Sequence, residues 1–440
     1  RHLKALSTFA RDCNGGAAIV MGVAIPVVLG GLAFGSEVAY WEFARRELQN
    51  QTDTAAFAAG TQVRSGKTAA EATTAAKYVA VASKFKGDVN NITVEYPPAT
   101  APATADGTNP NGDNSYVYVT IDDSLPRRFT KFFSSDGDVS ISASAIARIE
   151  SGRPACVLAL HPSADGAIST GGSTNVELVG CDIAANSISP TAITATGGGS
   201  NVEADCISAV GDVSVNSTYN LLCPEPISNG PVTADPYKNV PMPTAADCDQ
   251  SNAANQFTQN GNPSRPGTGQ ADQILCYSGT AWNFNRSVQL TSNNTYVLFN
   301  THATSTATFG TNGSNSVTGT NVSIILIGRW NVSFNGNTSL AISARTTGAY
   351  KGLALVGDRD NAVDIDISGN NAGKVVGAIY SPNKNSDITY TGSSTSYSSG
   401  QCTQVIGGTV TFWGNSDLNT DCSAAGTTPI IAGQSIKIVG

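Results

Sequence analysis

One uncharged apolar run near the N-terminus constrains this chain more than any other feature of its sequence. Residues 17–34 contain no charged residue, and a helix of about 18 residues nearly crosses a hydrocarbon core of about 30 Å. Pro26 and the pair Gly30-Gly31 would break a helix in water, but a membrane helix tolerates them. We therefore expect a transmembrane helix at 17–39, preceded by a basic leader at 1–16.

The basic residues of the leader predict how this helix is oriented. Arg1, Lys4 and Arg11 precede the run, and such a bias places the short N-terminus in the cytoplasm and the bulk of the chain outside. The alternative is a cleavable secretory signal, whose apolar core is about 7–15 residues long and ends at a small-residue cleavage site. The run is longer than that and continues into a helical pattern, so the sequence favours a retained anchor.

The cysteines divide at the same run. Cys13 precedes it and eight follow, and an even number on the exported side is typical of a disulfide framework in an oxidising compartment. The sequence does not determine the connectivity, and pairing of nearest neighbours is a working hypothesis. Zinc binding is the weaker alternative, because there is no C-x-x-C motif, and we expect no metal or cofactor. The hypothetical pairs are Cys156–Cys181, Cys206–Cys223, Cys248–Cys276 and Cys402–Cys422.

Residues 40–153 are predicted to form a small α+β unit. An Ala-rich helical pattern extends from about 37 to 86, and we expect Gly60 and the pair Ser65-Gly66 to divide it into two helices. Alternating apolar and polar residues then indicate three strands, at 91–96, 115–121 and 139–149.

Short repeated segments fill the rest of the chain. Cys156, Cys181 and Cys206 recur at equal intervals, and later phrases such as NVSFNGN, DIDISGN and TVTFWGN resemble one another. Short strands that recur about every 20–30 residues with polar turns are typical of a solenoid. The predicted fold is therefore mainly β: a disulfide-stapled, right-handed parallel β-helix over 154–440, with an excursion at about 224–272. A β-sandwich is the alternative.

The N-terminal 50 or so residues after Thr8 carry a family pattern. A basic F-x-R-D leader is followed by the Pro-containing apolar helix and then by an L-Q-N helix. In this order they resemble the TadG-like (TadE/TadG) proteins of the Tad (tight adherence, Flp) pilus system. The residues that carry the resemblance are Phe9, Arg11, Asp12, Gly16, Pro26, Leu48, Gln49, Asn50 and Asp53.

The resemblance implies a pilin-like component of the bacterial inner membrane that helps to assemble a type IV pilus for surface adhesion, with its bulk in the periplasm or displayed outside. The implied partners are other pilus or pseudopilin subunits and the inner-membrane assembly platform, with surface polysaccharide as a further candidate. Small residues would allow close helix packing with those partners, namely Gly22, Gly30, Gly31 and Gly35. Met21 stands at the fifth position after Gly16, where processed pilins carry Glu, which argues against leader cleavage.

Two other function classes are weighed against this interpretation. A net charge of −8 argues against a nucleic-acid partner. A β-helix enzyme acting on polysaccharide would need paired carboxylates, and Asp364 and Asp366 lie on one face of a predicted strand. Their alternation with Val363 and Ile365 is equally explained by polar residues facing outward, so we expect no enzymatic activity. A free-standing β-helix adhesin remains the alternative among binding proteins.

Overall fold

The computed structural model divides the chain into two compact units. Unit 1 comprises Arg1–Val63, Lys67–Glu150 and Ile436–Gly440, and unit 2 comprises Arg64–Gly66 and Ser151–Ser435. The structure describes residues 14–133, 137–172, 175–178, 180–196, 201–215, 218–251, 271–302, 304–311, 313–334, 337–368, 374–391, 402–413, 416–417, 422 and 425–440.

Two helices belong to the N-terminal part of the chain. Helix α1 spans Asn14–Arg64 without interruption and contains Pro26. Helix α2 spans Ala69–Ala82 and begins with a capping box, in which Thr68 and Glu71 each accept a hydrogen bond from the other's backbone N–H. The predicted break at Gly60 is wrong. Only the turn at Ser65-Gly66 separates the helices, where Gly66 adopts a φ of 73° that disfavours other residues.

Unit 1 contains an antiparallel sheet of β1 (Ile92–Glu95), β2 (Tyr116–Leu125) and β3 (Val139–Ile149). Helix α1 packs on it through small residues. A Cβ atom added at Gly60 would lie 3.2 Å from the Cβ of Ala147, so glycine lets this helix approach β3 closely. The glycine that the sequence pattern treated as a helix breaker is therefore a packing residue.

Unit 2 is built from short strands, most of them parallel. The strands are β4 Arg153–Ala159, β5 Ile168–Gly171, β6 Asn175–Leu178, β7 Asp182–Ala185, β8 Ile193–Thr196, β9 Asn201–Ala204, β10 Ile207–Ala209, β11 Val213–Val215, β12 Thr218–Leu221, β13 Gln250–Ser251, β14 Ile274–Gly279, β15 Ala281–Phe284, β16 Val288–Gln289, β17 Thr295–Asn300, β18 Ala307–Thr311, β19 Ser316–Gly319, β20 Ser323–Ile327, β21 Trp330–Phe334, β22 Ser339–Ser343, β23 Leu353–Gly357, β24 Val363–Ser368, β25 Val375–Ser381, β26 Asp387–Thr391, β27 Thr403–Gly407, β28 Thr409–Trp413, β29 Ser416–Asp417 and β30 Ile430–Ala432.

Consecutive strands contribute in turn to two large parallel sheets. The long sheet runs β10-β7-β4-β27-β25-β23-β20-β17-β14-β13, and the second sheet of nine strands runs β11-β8-β5-β28-β26-β24-β21-β18-β15. A shorter sheet runs β12-β9-β6-β29. Because the strands follow one another in the same order in each of these sheets, described strands of successive chain turns lie side by side, with one exception.

Two hydrophobic layers share the long sheet. Val157, Ile324 and Val405 point toward the second sheet and join its aromatic and aliphatic side chains in one cluster. Leu158 and Ile325 point to the opposite face and join a second cluster. A strand that is buried on both faces reads as a continuous apolar run, which explains segments such as SIILIG and GLALVG.

At one place in the long sheet, two neighbouring strands come from distant parts of the chain. Strand β4, the first of unit 2, pairs in parallel with β27, near the end of the chain. The chain moves from β4 outward to β10, then crosses to β13 and β14 at the opposite edge, and winds back to β27. Residues 222–249, here named the crossover segment, make this connection.

The predicted excursion at about 224–272 corresponds to this crossover. Residues 252–270 of the predicted range lie outside the described residues. Its contacts follow the strand order of the long sheet: Ile227 with Ile207 beside β10, Thr233 with Asn186 after β7, Asp235 with Tyr380 in β25, Val240 with Arg359 after β23, and Cys248 with Cys276 in β14. The crossover segment therefore runs along the outer face of the long sheet.

The final strand returns to unit 1. β31 (Ile436–Ile438) pairs antiparallel with β3, whereas the sequence pattern assigned it to the β-helix. The apolar and polar alternation in a strand of three residues does not reveal its partner strand. Any exposed sheet edge could form hydrogen bonds with its backbone N–H and C=O groups.

Candidate functional site

Most of the described side chains in the apolar segment of α1 are exposed. Its large side chains have no partner within unit 1; Val27 is 70% exposed and Leu32 66% exposed. Among the residues that the structure describes, α1 is the one helix long and apolar enough to cross a membrane. An exposed apolar helix surface of this length needs a lipid or protein environment.

The small residues of the same segment are open to partners. A Cβ atom added at Gly22, Gly30, Gly31 or Gly35 would meet nothing within 4 Å. Pro26 lies between them without ending the helix. Within the described part of this chain, no other residue packs against these glycines. Packing of partner helices at this surface stays a prediction.

The L-Q-N motif joins α1 to the sheet of unit 1. Leu48 is buried in the hydrophobic core. The amide of Gln49 donates to the backbone oxygen of Ser144 in β3 at 2.9 Å and to the carboxylate of Asp53 at 2.7 Å. Asn50 is exposed, and its carbonyl accepts from the Thr54 hydroxyl. Leu48 and Gln49 therefore connect α1 to the rest of unit 1, and Asp53 binds the Gln49 amide. The partner residue Ser144 was not identified from the sequence.

A cleft of about 530 Å³ lies beside this motif, lined by Gln49, Asp53, Asp106, Arg148 and Lys437 among others. Hydrogen bonds from the Thr104 hydroxyl and the Thr108 backbone lower the pKa of Asp106 to about 2. Hydrogen bonding to Glu150 raises the pKa of Arg148. Both groups therefore stay charged at neutral pH, so they are suited to ion pairing rather than to proton transfer.

The eight cysteines that follow the apolar run form the four pairs of the working hypothesis: Cys156–Cys181, Cys206–Cys223, Cys248–Cys276 and Cys402–Cys422. The first joins adjacent turns of the chain. The second and third fasten the two ends of the crossover segment, and the fourth fastens the segment that leads to β30. The hypothesis of nearest-neighbour pairing was correct, because each bond closes a local loop.

Asp364 and Asp366, the two carboxylates weighed for catalysis, lie in β24, and Asp358 precedes that strand. Asp364 is exposed and accepts a hydrogen bond from the backbone of Asp387, while Val363 and Ile365 point inward. Asp358 accepts hydrogen bonds from the backbone of Gly328 and Asp360. Asp366 lies on the same face of β24 as Asp364. Within the described residues, no group of three or more His, Cys, Asp or Glu could hold a metal.

Three of the residues that carry the family resemblance lie outside the described residues: Phe9, Arg11 and Asp12. Gly16 lies in the first turns of α1.

Comparison with known proteins gives one match. Residues 15–73 match the family described as putative Flp pilus-assembly TadE/G-like. Comparisons with curated proteins and with solved structures gave no match. The matched segment holds the apolar helix, the L-Q-N motif and the start of α2, so it unites the features described above. The match supports a pilus-associated role and single-pass membrane anchoring. Residues 15–73 are thus similar to the Flp pilus-assembly TadE/G-like family, as the sequence resemblance indicated.

Proposed function

We propose that this chain is a membrane-anchored structural component that assembles a bacterial Tad (Flp) pilus and so supports surface adhesion. The family match at residues 15–73 carries the proposal, because it coincides with an apolar helix that the rest of unit 1 leaves exposed. In this proposal the apolar segment of α1 crosses the inner membrane with its N-terminus in the cytoplasm, and the remainder of both units lies on the periplasmic or outer side.

The proposed partners are pilus or pseudopilin subunits and the inner-membrane assembly platform. The open surface at Gly22, Gly30, Gly31 and Gly35 supports this assignment, since small residues allow helices to approach closely in a membrane. Unit 2 is proposed to be a right-handed parallel β-helix whose Ser-, Thr- and Asn-rich surface binds partners or surface polysaccharide. Its role is proposed to be structural, not catalytic.

Thiol labelling in cells tests the orientation. An oxidising environment for the bulk of the chain predicts that one cysteine, Cys13, reacts with a thiol reagent before reduction and that the other eight react only after reduction and unfolding. Nine reactive thiols in freshly lysed cells, with the chain in the soluble fraction, would contradict the proposed anchoring and location.

A pilus assay tests the assembly role. Cells that lack the chain should lose surface pili and adherence, and the wild-type gene should restore both. Gly30→Leu with Gly31→Leu should leave the chain in the membrane but reduce piliation, because the larger side chains prevent close helix contact. Leu29→Ile is the matched control. Adherence that is lost while pili persist would instead favour a free-standing adhesin.

A further inference from the structure

A basic and aromatic loop lies beside the helix at the end of its apolar segment. Residues 126–133, here named the PRRFTKFF loop, contain Arg127, Arg128 and Lys131 and no acidic residue. Phe132 is 86% exposed and Phe133 78% exposed. Two adjacent phenylalanines exposed to this extent are unusual in a part of a protein surrounded by water, and they indicate an apolar partner.

The helix holds this loop in place through Glu37. The carboxylate of Glu37 accepts hydrogen bonds from the backbone N–H of Arg128 and, at 2.7 Å, from that of Thr130. The guanidinium of Arg127 lies 5.8 Å from the ring of Trp41, and that of Arg128 lies 5.9 Å from the ring of Tyr40. The loop is therefore attached to α1 between residues 37 and 41.

The position of this attachment along the helix defines the depth of the loop. Glu37 is the first charged residue after the apolar run, and it follows Phe34, the last large apolar side chain before it, by about 4.5 Å at a rise of 1.5 Å per residue. The interfacial layer of a bilayer extends about 5–8 Å beyond the hydrocarbon on each side. Tyr40 and Trp41 are residue types that favour this layer. If Phe34 marks the hydrocarbon boundary, the loop lies at the level of the lipid headgroups.

We propose that the PRRFTKFF loop is a second membrane contact, which inserts Phe132 and Phe133 at the bilayer surface and binds the phosphates of anionic lipids through Arg128 and Lys131. The charges support a lipid partner, because each cation near an anionic surface adds attraction. The two phenylalanines add burial of apolar area. Together with α1, the loop would restrict rotation of unit 1 about the helix axis. This inference rests on the proposed membrane anchoring by α1.

Photocrosslinking of the full chain in vesicles tests the contact. The photoreactive residue p-benzoylphenylalanine replaces Phe132, Leu29 or Phe57 in three separate variants. Leu29 lies in the apolar run and reports anchoring. Phe57 is the matched control, since it is a half-exposed phenylalanine of the same helix about 30 Å beyond Glu37. The vesicles contain equal parts of phosphatidylcholine and phosphatidylglycerol.

The expected result is a phospholipid adduct, detected as a mass increase, at positions 29 and 132 and none at 57. Arg128→Gln with Lys131→Gln should lower the adduct yield at 132 by up to about 25-fold, since each basic residue changes such an equilibrium about fivefold, and leave the yield at 29 unchanged. Vesicles of phosphatidylcholine alone should give a similar loss.

The outcomes separate the two proposals. An adduct at 29 without one at 132 would overturn the loop contact and leave the anchor intact. Absence of an adduct at 29, with the chain failing to float with the vesicles, would overturn the anchoring itself. A crosslink from 132 to a second protein chain in place of lipid would overturn the lipid assignment in favour of a subunit contact.

Discussion

Val157, in the first strand of unit 2, pairs in parallel register with Val405, near the end of the chain. The neighbours of this pair are β7 on one side and β25 on the other. The first and last turns of the repeat therefore meet in the interior of the sheet, and the two outer edges are formed by strands from the middle of the sequence. An unprotected edge strand invites pairing with other chains. Ile227 of the crossover segment bridges to Ser208 of the edge strand β10, and β13, which directly follows the crossover segment, pairs with β14 at the opposite edge.

The first prediction concerns the disulfides that hold the crossover segment. Replacing Cys206 and Cys223, or Cys248 and Cys276, by serine should lower the free energy of unfolding by about 3–4 kcal/mol, because these bonds close loops that restrict the unfolded chain. Urea unfolding followed by circular dichroism measures the change. Cys13→Ser is the control and should leave the midpoint unchanged. An unchanged midpoint in both double variants would show that the crossover segment needs no covalent attachment.

The second prediction concerns pH. Burial raises the pKa of Asp235, despite hydrogen bonds from the backbone of Tyr237 and the hydroxyl of Tyr380. The folded state therefore holds this proton at a pH where the unfolded state has released it. The contribution of Asp235 to stability is greatest below its ordinary pKa and decreases as the pH rises through the raised pKa.

Asp235→Asn should remove that dependence, since the amide has the same shape and no titrating proton. The difference in unfolding free energy between variant and wild type, measured from acid to neutral pH, should move in favour of the variant as the pH rises. A difference that stays constant with pH would show that Asp235 titrates alike in both states.

The third prediction concerns the aromatic interior of unit 2. Phe284, Phe309 and Phe334 occupy successive turns, and their rings meet edge to face at 6.3 Å and 5.5 Å. Phe309→Ala should destabilise unit 2 by about 3–5 kcal/mol, because it removes a buried ring between two others. Thr308→Ala, on the outer face of the same strand, should cost less than about 1 kcal/mol. Equal losses at the two positions in thermal unfolding would contradict the inward direction of Phe309.

The fourth prediction concerns the attachment of the PRRFTKFF loop to α1. Glu37→Gln should speed amide hydrogen exchange at Arg128 and Thr130 by about tenfold or more, because a hydrogen bond to a charged group contributes about 1.5–3 kcal/mol. Mass spectrometry of the exchanged chain in detergent measures this change. Glu42→Gln is the control, since Glu42 is exposed and its nearest cation, Arg45, lies 4.0 Å away. Unchanged exchange in Glu37→Gln would mean that the loop is held by its aromatic contacts.

Local signals in the sequence were sufficient for much of this structure. Three features were predicted from segments of about thirty residues or fewer: the apolar run at 17–34, the repeated short strands and the nearest-neighbour cysteine pairs. Hydrophobic periodicity and loop length can be read from segments of that length. The motif residues Leu48 and Gln49 were also identified from the sequence, although their partner in β3 was not.

What the tertiary structure alone decided is which turn lies beside which. Val157 and Val405 lie in ordinary strand sequences, and nothing in the sequence near either residue indicates that the two strands pair. Parallel strands that are buried on both faces read alike, so many stacking orders satisfy the same pattern. The order found here is accompanied by long-range contacts along the crossover segment, from Ile227 to Cys248. These contacts join residues that are distant in the chain, so their energies appear only when the whole fold is assembled.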